Sequence, residues 1–204
     1  MSAHIYIEGA AKKAAHSKDL QIRCREAFSK LLRKMGFEGR LPRTSACGGR
    51  GEVFKDFKNA LKSGKSDYVA MLVDSEEPVA DIEKTWEHLR KRPGDEWKKP
   101  AGATDEQVLF MTTCMETLIV ADRTALGEHY GASLQETALP PLTDLEYRRR
   151  HDIQDALFHA TRDCDNAYEK GDRSFVILGK LDPDVLCRRL PSFTRIKRIL
   201  SEKL

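Results

Sequence analysis

Tyr68-Val69-Ala70-Met71-Leu72-Val73, followed by Asp74-Ser75-Glu76-Glu77-Pro78, is the stretch on which the fold turns. Six consecutive apolar residues, stopped by a polar cluster and a proline, have the length of a strand rather than a helix. Apolarity at every position, without alternation, is what a strand covered on both faces shows, as in the middle of a parallel sheet. Upstream, His4-Ile5-Tyr6-Ile7-Glu8-Gly9 is a second short β-rich run. A loop of small and basic residues, 10–16, separates it from a helical pattern that Ser17 would cap. Leu20, Cys24, Ala27, Phe28, Leu31 and Met35 recur there at helical spacing, and Gly36 stops them.

Residues 41–47 form a weaker strand ending in Cys47-Gly48-Gly49-Arg50-Gly51. Val53, Phe54, Phe57 and Leu61 then mark a helix that Gly64 breaks. Beyond the 68–73 strand, Val79, Ile82, Trp86 and Leu89 supply a third helical pattern. The order βαβαβα calls for a parallel sheet with crossover helices. A polar loop, 91–106, leads to a strand at Val108–Met111 and a helix at Met115–Ala121, with Asp122 near its end. The remainder reads as helical over 123–129, 144–159, 165–181 and 191–203, punctuated by Pro140-Pro141 and Pro183. The expected fold is α/β: a short, mostly parallel sheet flanked by helices. Residues 1–122 would form its core, and 123–204 a helical C-terminal extension packed on that core.

Composition removes several function classes. No run of ~18 apolar residues is present, so no span of a bilayer is expected. The start, MSAHIYIEG, lacks a basic segment followed by an apolar one, so a cytoplasmic location is expected. The five cysteines form no CxxC pair and sit mostly in apolar surroundings, which favours buried thiols over a disulfide framework or zinc knuckle. No HxxxH or HExxH, no GxSxG and no GxxxxGK[ST] occurs, which disfavours zinc hydrolysis, a serine nucleophile elbow and intrinsic ATP hydrolysis. Charge is unevenly spread. Residues 1–50 carry 11 Lys and Arg against 4 Asp and Glu, residues 67–106 carry 6 against 11, and residues 188–204 carry 6 against 1. Basic ends around an acidic middle could set a polyanion beside carboxylates; solvated helix faces would look the same.

In open α/β sheets, ligands bind beyond the carboxyl ends of the strands. There the first strand ends in Glu8, and the third in Asp74 and Glu76. Three carboxylates converging on one crevice repel one another unless a cation lies between them, and hard oxygen ligands suit Mg²⁺ or Mn²⁺. Glu8 alone, or Asp74 alone, reads equally as a cap or a solvated loop residue. Glu116 stands alone as a charge in VLFMTTCMETLIVA, either as a further ligand or supporting carboxylate, or as a first-turn residue favoured by the helix dipole. Lys170-Gly171 would place a cation on a phosphate, or end a helix. Arg50, in Gly-Gly-Arg-Gly before a helix, would steady a phosphate, or belong to a loop with no ligand role. Arg148-Arg149-Arg150 and Arg188, Arg189, Arg195, Lys197 and Arg198 are further phosphate contacts or ordinary surface charges.

Ile7-Glu8-Gly9 after the first strand and Val73-Asp74-Ser75-Glu76 after the third resemble the motifs of the Toprim (topoisomerase–primase) fold, over residues 4–113. That family carries Glu-Gly and Asp-x-Asp at these places; here the last acid is Glu76. Cys114–Asp122 and Tyr168-Glu169-Lys170-Gly171, with Ser174-Phe175 and Leu181-Asp182-Pro183, resemble a family of small bacterial Toprim-like proteins from phage-defence loci beside an AAA- or ABC-type ATPase. The resemblance implies a Mg²⁺- or Mn²⁺-dependent nuclease acting on DNA or RNA, tRNA among them, as a defence or toxin-like effector. It implies metal binding by Glu8, Asp74 and Glu76, with Glu8 alternatively the general acid or base, and Glu116 and Lys170 completing the catalytic set. Nucleic acid and an ATPase would be partners, and self-association is left open. The rival reading is a non-catalytic Toprim-fold subunit of an ATPase complex. A phosphatase-like site for a small ester fits the basic surfaces less well.

Overall fold

The computed structural model describes residues 2–9 and 17–204. The loop assigned to 10–16 and the Ser17 cap lie outside what is described. Four strands, β1 (Ala3–Glu8), β2 (Arg43–Cys47), β3 (Tyr68–Asp74) and β4 (Val108–Met111), form one sheet in the order β2-β1-β3-β4. All three pairings are parallel, with Glu8 level with Cys47, Ile7 with Leu72 and Asp74 with Met111. The α/β reading therefore holds, and the architecture is consistent with a Toprim-like fold.

The helices are α1 (Ser17–Leu32), α2 (Arg50–Ser63), α3 (Thr85–Lys91), α4 (Met115–Ala121), α5 (Arg123–Tyr130), α6 (Arg150–Thr161), α7 (Asp172–Leu178), α8 (Pro183–Arg189) and α9 (Pro191–Lys203). The apolar 68–73 run is explained by two cores. Val69, Met71 and Val73 pack with Val53 and Phe57 of α2 and Trp86 and Leu89 of α3. Tyr68, Ala70 and Leu72 join Ile5 and Ile7 against Phe28 of α1, Ile119 of α4 and Ile196 of α9. Side chains alternate across a strand, so a strand between two helical layers has no polar face to offer. Each fully buried Leu, Ile, Met or Phe contributes roughly 1.5–3 kcal/mol. The core against α1, α4 and α9 runs from Ala3 to Leu200, so the helices after residue 122 share it with the sheet.

Helix boundaries departed from the periodic reading at four places, each for a local reason. Val79 and Ile82 lie ahead of α3 rather than in it. The helix begins where Asp105 Oδ1 accepts from the Trp86 backbone N–H at 2.9 Å and the Thr85 hydroxyl at 3.2 Å. The 144–159 pattern starts as helix only at Arg150; Asp144 turns the chain with φ 57°, and a 3-10 turn spans Leu145–Tyr147. In that turn the Glu146 carboxylate accepts from the Ser192 backbone N–H at 3.1 Å and from its hydroxyl. Of 165–181, only Asp172–Leu178 is helical, because Gly171, at φ 110°, breaks the backbone ahead of it. Pro183, which falls between two helical stretches in the periodic reading, opens a helix of its own, α8, with Asp182 accepting from the Asp184 N–H at 2.8 Å.

The C-terminal arginines also read differently in space. Arg195 is 4% exposed. Its guanidinium donates to the carbonyls of Val108 at 2.9 Å and Asp105 at 2.8 Å, and pairs with Glu83 at 3.0 Å. It fastens α9 to the edge of the sheet and is withdrawn from phosphate binding. Arg198 pairs with Glu83, and Lys197 with Asp184. Arg188 and Arg189 remain exposed. Cys24, Cys47, Cys114 and Cys164 are buried and Cys187 half-buried. Among the described residues, no helix is long and apolar enough to cross a membrane.

Candidate functional site

The carboxyl ends of β1 and β3 open into a cleft of about 320 Å³, closed by the start of α4 and the chain entering α7. Glu8, Asp74, Glu116 and Lys170 all line it. Alternation sends Glu8 toward the α2 side of the sheet and Asp74 toward the α1 and α4 side. Both are the last residues of their strands, so the sheet no longer stands between them. Glu8 Oε2 accepts from the Asp74 backbone N–H at 3.3 Å.

The electrostatics follow from this crowding. Burial, then the negative charges of Glu8 and Glu116, push the Asp74 carboxyl well above the usual carboxylate range, against the pull of Lys170 and Arg50. Asp74 Oδ1 is shut off from solvent and has no hydrogen-bond partner. Burial also raises the Glu8 carboxyl, opposed chiefly by Arg50. A buried acceptor without a donor costs about 1–3 kcal/mol unless something fills the gap.

Gly9, following Glu8, has a packing reason. A Cβ there would meet Cys24 Sγ of α1 at 2.8 Å, inside contact distance. The missing side chain lets the end of the strand lie close against Cys24 of α1.

Glu116 is 1% exposed in the first turn of α4. Tyr168 Oη donates to its Oε1 at 2.6 Å, and Gln154 Nε2 to its Oε2 at 3.2 Å. Glu116 stands in the first turn of α4, where the helix start accommodates its charge, and it also lines the cleft. Burial and the Glu116 charge push the Tyr168 phenol far up, which keeps it a donor. Lys170 is exposed at the cleft, and Gly171 caps the start of α7 instead of ending a helix.

Two assignments are corrected. Glu76 does not line the cleft. Its backbone turns left-handed, φ 69°, two residues past the strand end, and its carboxylate is held by Arg150 and by Arg92 at 3.6 Å. The i, i+2 spacing would keep two side chains together only if the strand continued through residue 76. Among the described residues, no group of three or more His, Cys, Asp or Glu gathers closely enough to hold a metal ion. The three-acid set of Glu8, Asp74 and Glu76 is thus not assembled. Arg50 is also not free for phosphate. It donates to Asp95 at 2.5 Å, to Glu8 at 3.3 Å and to the Asp74 carbonyl, and lies over the Trp97 ring.

These contacts join into a line of alternating charges: Glu8, Arg50, Asp95, Arg92, Glu76, Arg150. Asp95 and Arg92 sit in the polar loop 91–106, where nothing in the local pattern sets them apart. Gln154 lies on a helical face whose period reports only its buried side. Tyr168 stood beside Lys170-Gly171 in the sequence but was given no role.

The chain matches, over residues 12–200, the family described as Domain of unknown function (DUF4276), and belongs to it. No curated protein and no solved structure matches it.

Proposed function

We propose that this chain is a Mg²⁺- or Mn²⁺-dependent phosphodiesterase acting on nucleic acid, a Toprim-like nuclease serving in anti-phage defence or as a toxin-like effector. The observation that carries this reading is the pairing of Glu8 with Asp74 at the carboxyl edge of a parallel sheet, with Asp74 Oδ1 buried and unpartnered. Mg²⁺ is commonly held by one or two carboxylates, with water and substrate phosphate supplying the rest. Glu8 and Asp74 fit that donor set, and Glu76 is left out of it. A divalent ion there would neutralise phosphoryl charge and lower the pKa of a bound water.

The chain's own residues divide the remaining work. Asp74 presents an acceptor with no competing donor. Glu8 is held by Arg50 and the Asp74 N–H in one orientation, suited to taking or returning a proton. Lys170, exposed at the cleft, meets the charge of an entering phosphate. Glu116 keeps Tyr168 and Gln154 in place behind it.

A second reading has one observation in its favour. Glu8 already has Arg50, and Glu76 has Arg92 and Arg150, so two of the three edge acids are neutralised within the chain. That suits a non-catalytic subunit docking on an AAA- or ABC-type ATPase. One experiment separates the two. The full chain is incubated with plasmid, single-stranded DNA and tRNA in Mg²⁺ or Mn²⁺, beside Glu8→Gln and Asp74→Asn. Cleavage abolished in both variants supports the nuclease; cleavage persisting in both overturns the metal site. No cleavage of any substrate, with or without an ATPase partner, favours the docking subunit.

A further inference from the structure

A second hollow, of about 310 Å³, lies against the cleft and shares two walls with it, Glu116 and Lys170. Its other walls include Gln154 and Phe158 of α6 and the buried ring of Tyr168. Phe158 is 56% exposed, and burial of a phenyl ring is strongly favoured in water. Gln154 and Phe158 are four residues apart on one helix, so the ring and the amide share one face of it. Gln154 uses its NH₂ group on Glu116; that bond leaves its carbonyl oxygen unspent.

We propose that this hollow is a base subsite, taking one unpaired nucleobase whose phosphate lies in the neighbouring cleft. The assignment rests on the phosphodiesterase reading and narrows its substrate to strands with accessible bases. Three features converge on it. An aromatic face exposed to solvent beside a phosphate-handling site is the arrangement by which single-stranded nucleic acid is held, because every base has a π-face to stack. The adjoining amide can address a base edge, as side-chain amides do. Lys170 stands on the border of the two hollows, where the phosphate joining them would pass. A base inside a duplex could not enter without leaving its stack, so paired strands are disfavoured.

The test is binding, read apart from catalysis. The full-length Asp74→Asn chain, in a chelator, is titrated against fluorescently labelled oligouridylate and oligothymidylate of about twelve nucleotides, a span such sites cover. An abasic strand and a duplex of the same length are the controls. Both single strands with bases should bind roughly tenfold or more tighter than the controls, and Phe158→Ala should remove roughly tenfold of that. Phe158→Trp should retain it, and the abasic strand should not respond to either change. Preference between the two strands then assigns RNA or DNA. Equal binding of abasic and base-bearing strands, or unchanged binding by Phe158→Ala, overturns the subsite. If Asp74→Asn still abolishes cleavage by the otherwise native chain, the nuclease reading stands without the subsite. Phe158-dependent binding with no cleavage in any metal supports the subsite and overturns the nuclease.

Discussion

The Asp74 backbone N–H donates to Glu8 Oε2 across 3.3 Å, so the ends of β1 and β3 are tied through one of the acids they present. The tie makes the position of Glu8 depend on the β1–β3 register, not on its own rotamer alone. Glu8→Gln keeps an acceptor for that N–H, and Asp74→Asn keeps the backbone donor. Each should retain the fold and lose activity by at least about a hundredfold, the scale of a lost acid–base group. Single-turnover cleavage alongside near-UV circular dichroism checks both halves.

Ion binding should be visible without substrate. Burial, and the negative charges of Glu8 and Glu116, disfavour the ionised form of Asp74. Asp74→Asn should therefore melt higher than the native chain in a chelator. Adding Mg²⁺ or Mn²⁺ should raise the native chain by about 1.4 kcal/mol at roughly ten times the dissociation constant and leave the variant unmoved. Calorimetry with and without the ion decides it; an equal response in both chains places the ion elsewhere.

Gly9→Ala puts a methyl group 2.8 Å from Cys24 Sγ. The expected cost is about 1–3 kcal/mol, typical of overpacking. Cys24→Ala removes the opposing atom, so the double variant should be more stable than the two single losses added together. Urea denaturation of the four chains measures that coupling.

Glu146 supplies a pH dependence remote from the cleft. Burial raises its carboxyl above 4.5, while the Ser192 hydroxyl and N–H act to lower it. An acid raised on folding binds protons more tightly in the native state. Its contribution favours folding below about 4.5 and is lost as pH climbs through the raised value. Glu146→Gln retains an acceptor for Ser192 and carries no charge, so it should be more stable than the native chain at pH ~7 and lose that advantage toward pH ~4. Melting temperatures of both chains over that window test the sign.

Arg195→Met should cost about 2–4 kcal/mol, because the carbonyls of Val108 and Asp105 lose their buried donor. Arg198→Met, at a half-exposed pair, should stay within about 1 kcal/mol. Equal effects in denaturant would contradict the anchoring role of Arg195.

The strands and the residues at their ends were legible because burial on two faces leaves an uninterrupted apolar run. Val108–Met111 and Met115–Ala121 fell where the pattern put them. Glu8 and Asp74, named from strand ends, Glu116, named as an isolated charge, and Lys170, named from its Lys-Gly pair, do line one cleft. Glu76 strayed because a left-handed turn at a non-glycine residue has no compositional mark. Val79 misled because an apolar residue packed under a loop has the same spacing as one on a helix. The partners Asp95, Arg92 and Gln154 come from distant segments, and pairing across such separations is settled by packing rather than by local pattern.

Arg195 reaches Val108 across 87 positions of chain. During synthesis, the β4 carbonyl it serves waits for α9, Pro191–Lys203, to leave the ribosome. The rim of the sheet therefore acquires its native lining only once α9 has been made, and a nascent fragment ending before α9 would carry Glu8 and Asp74 on an unfinished support.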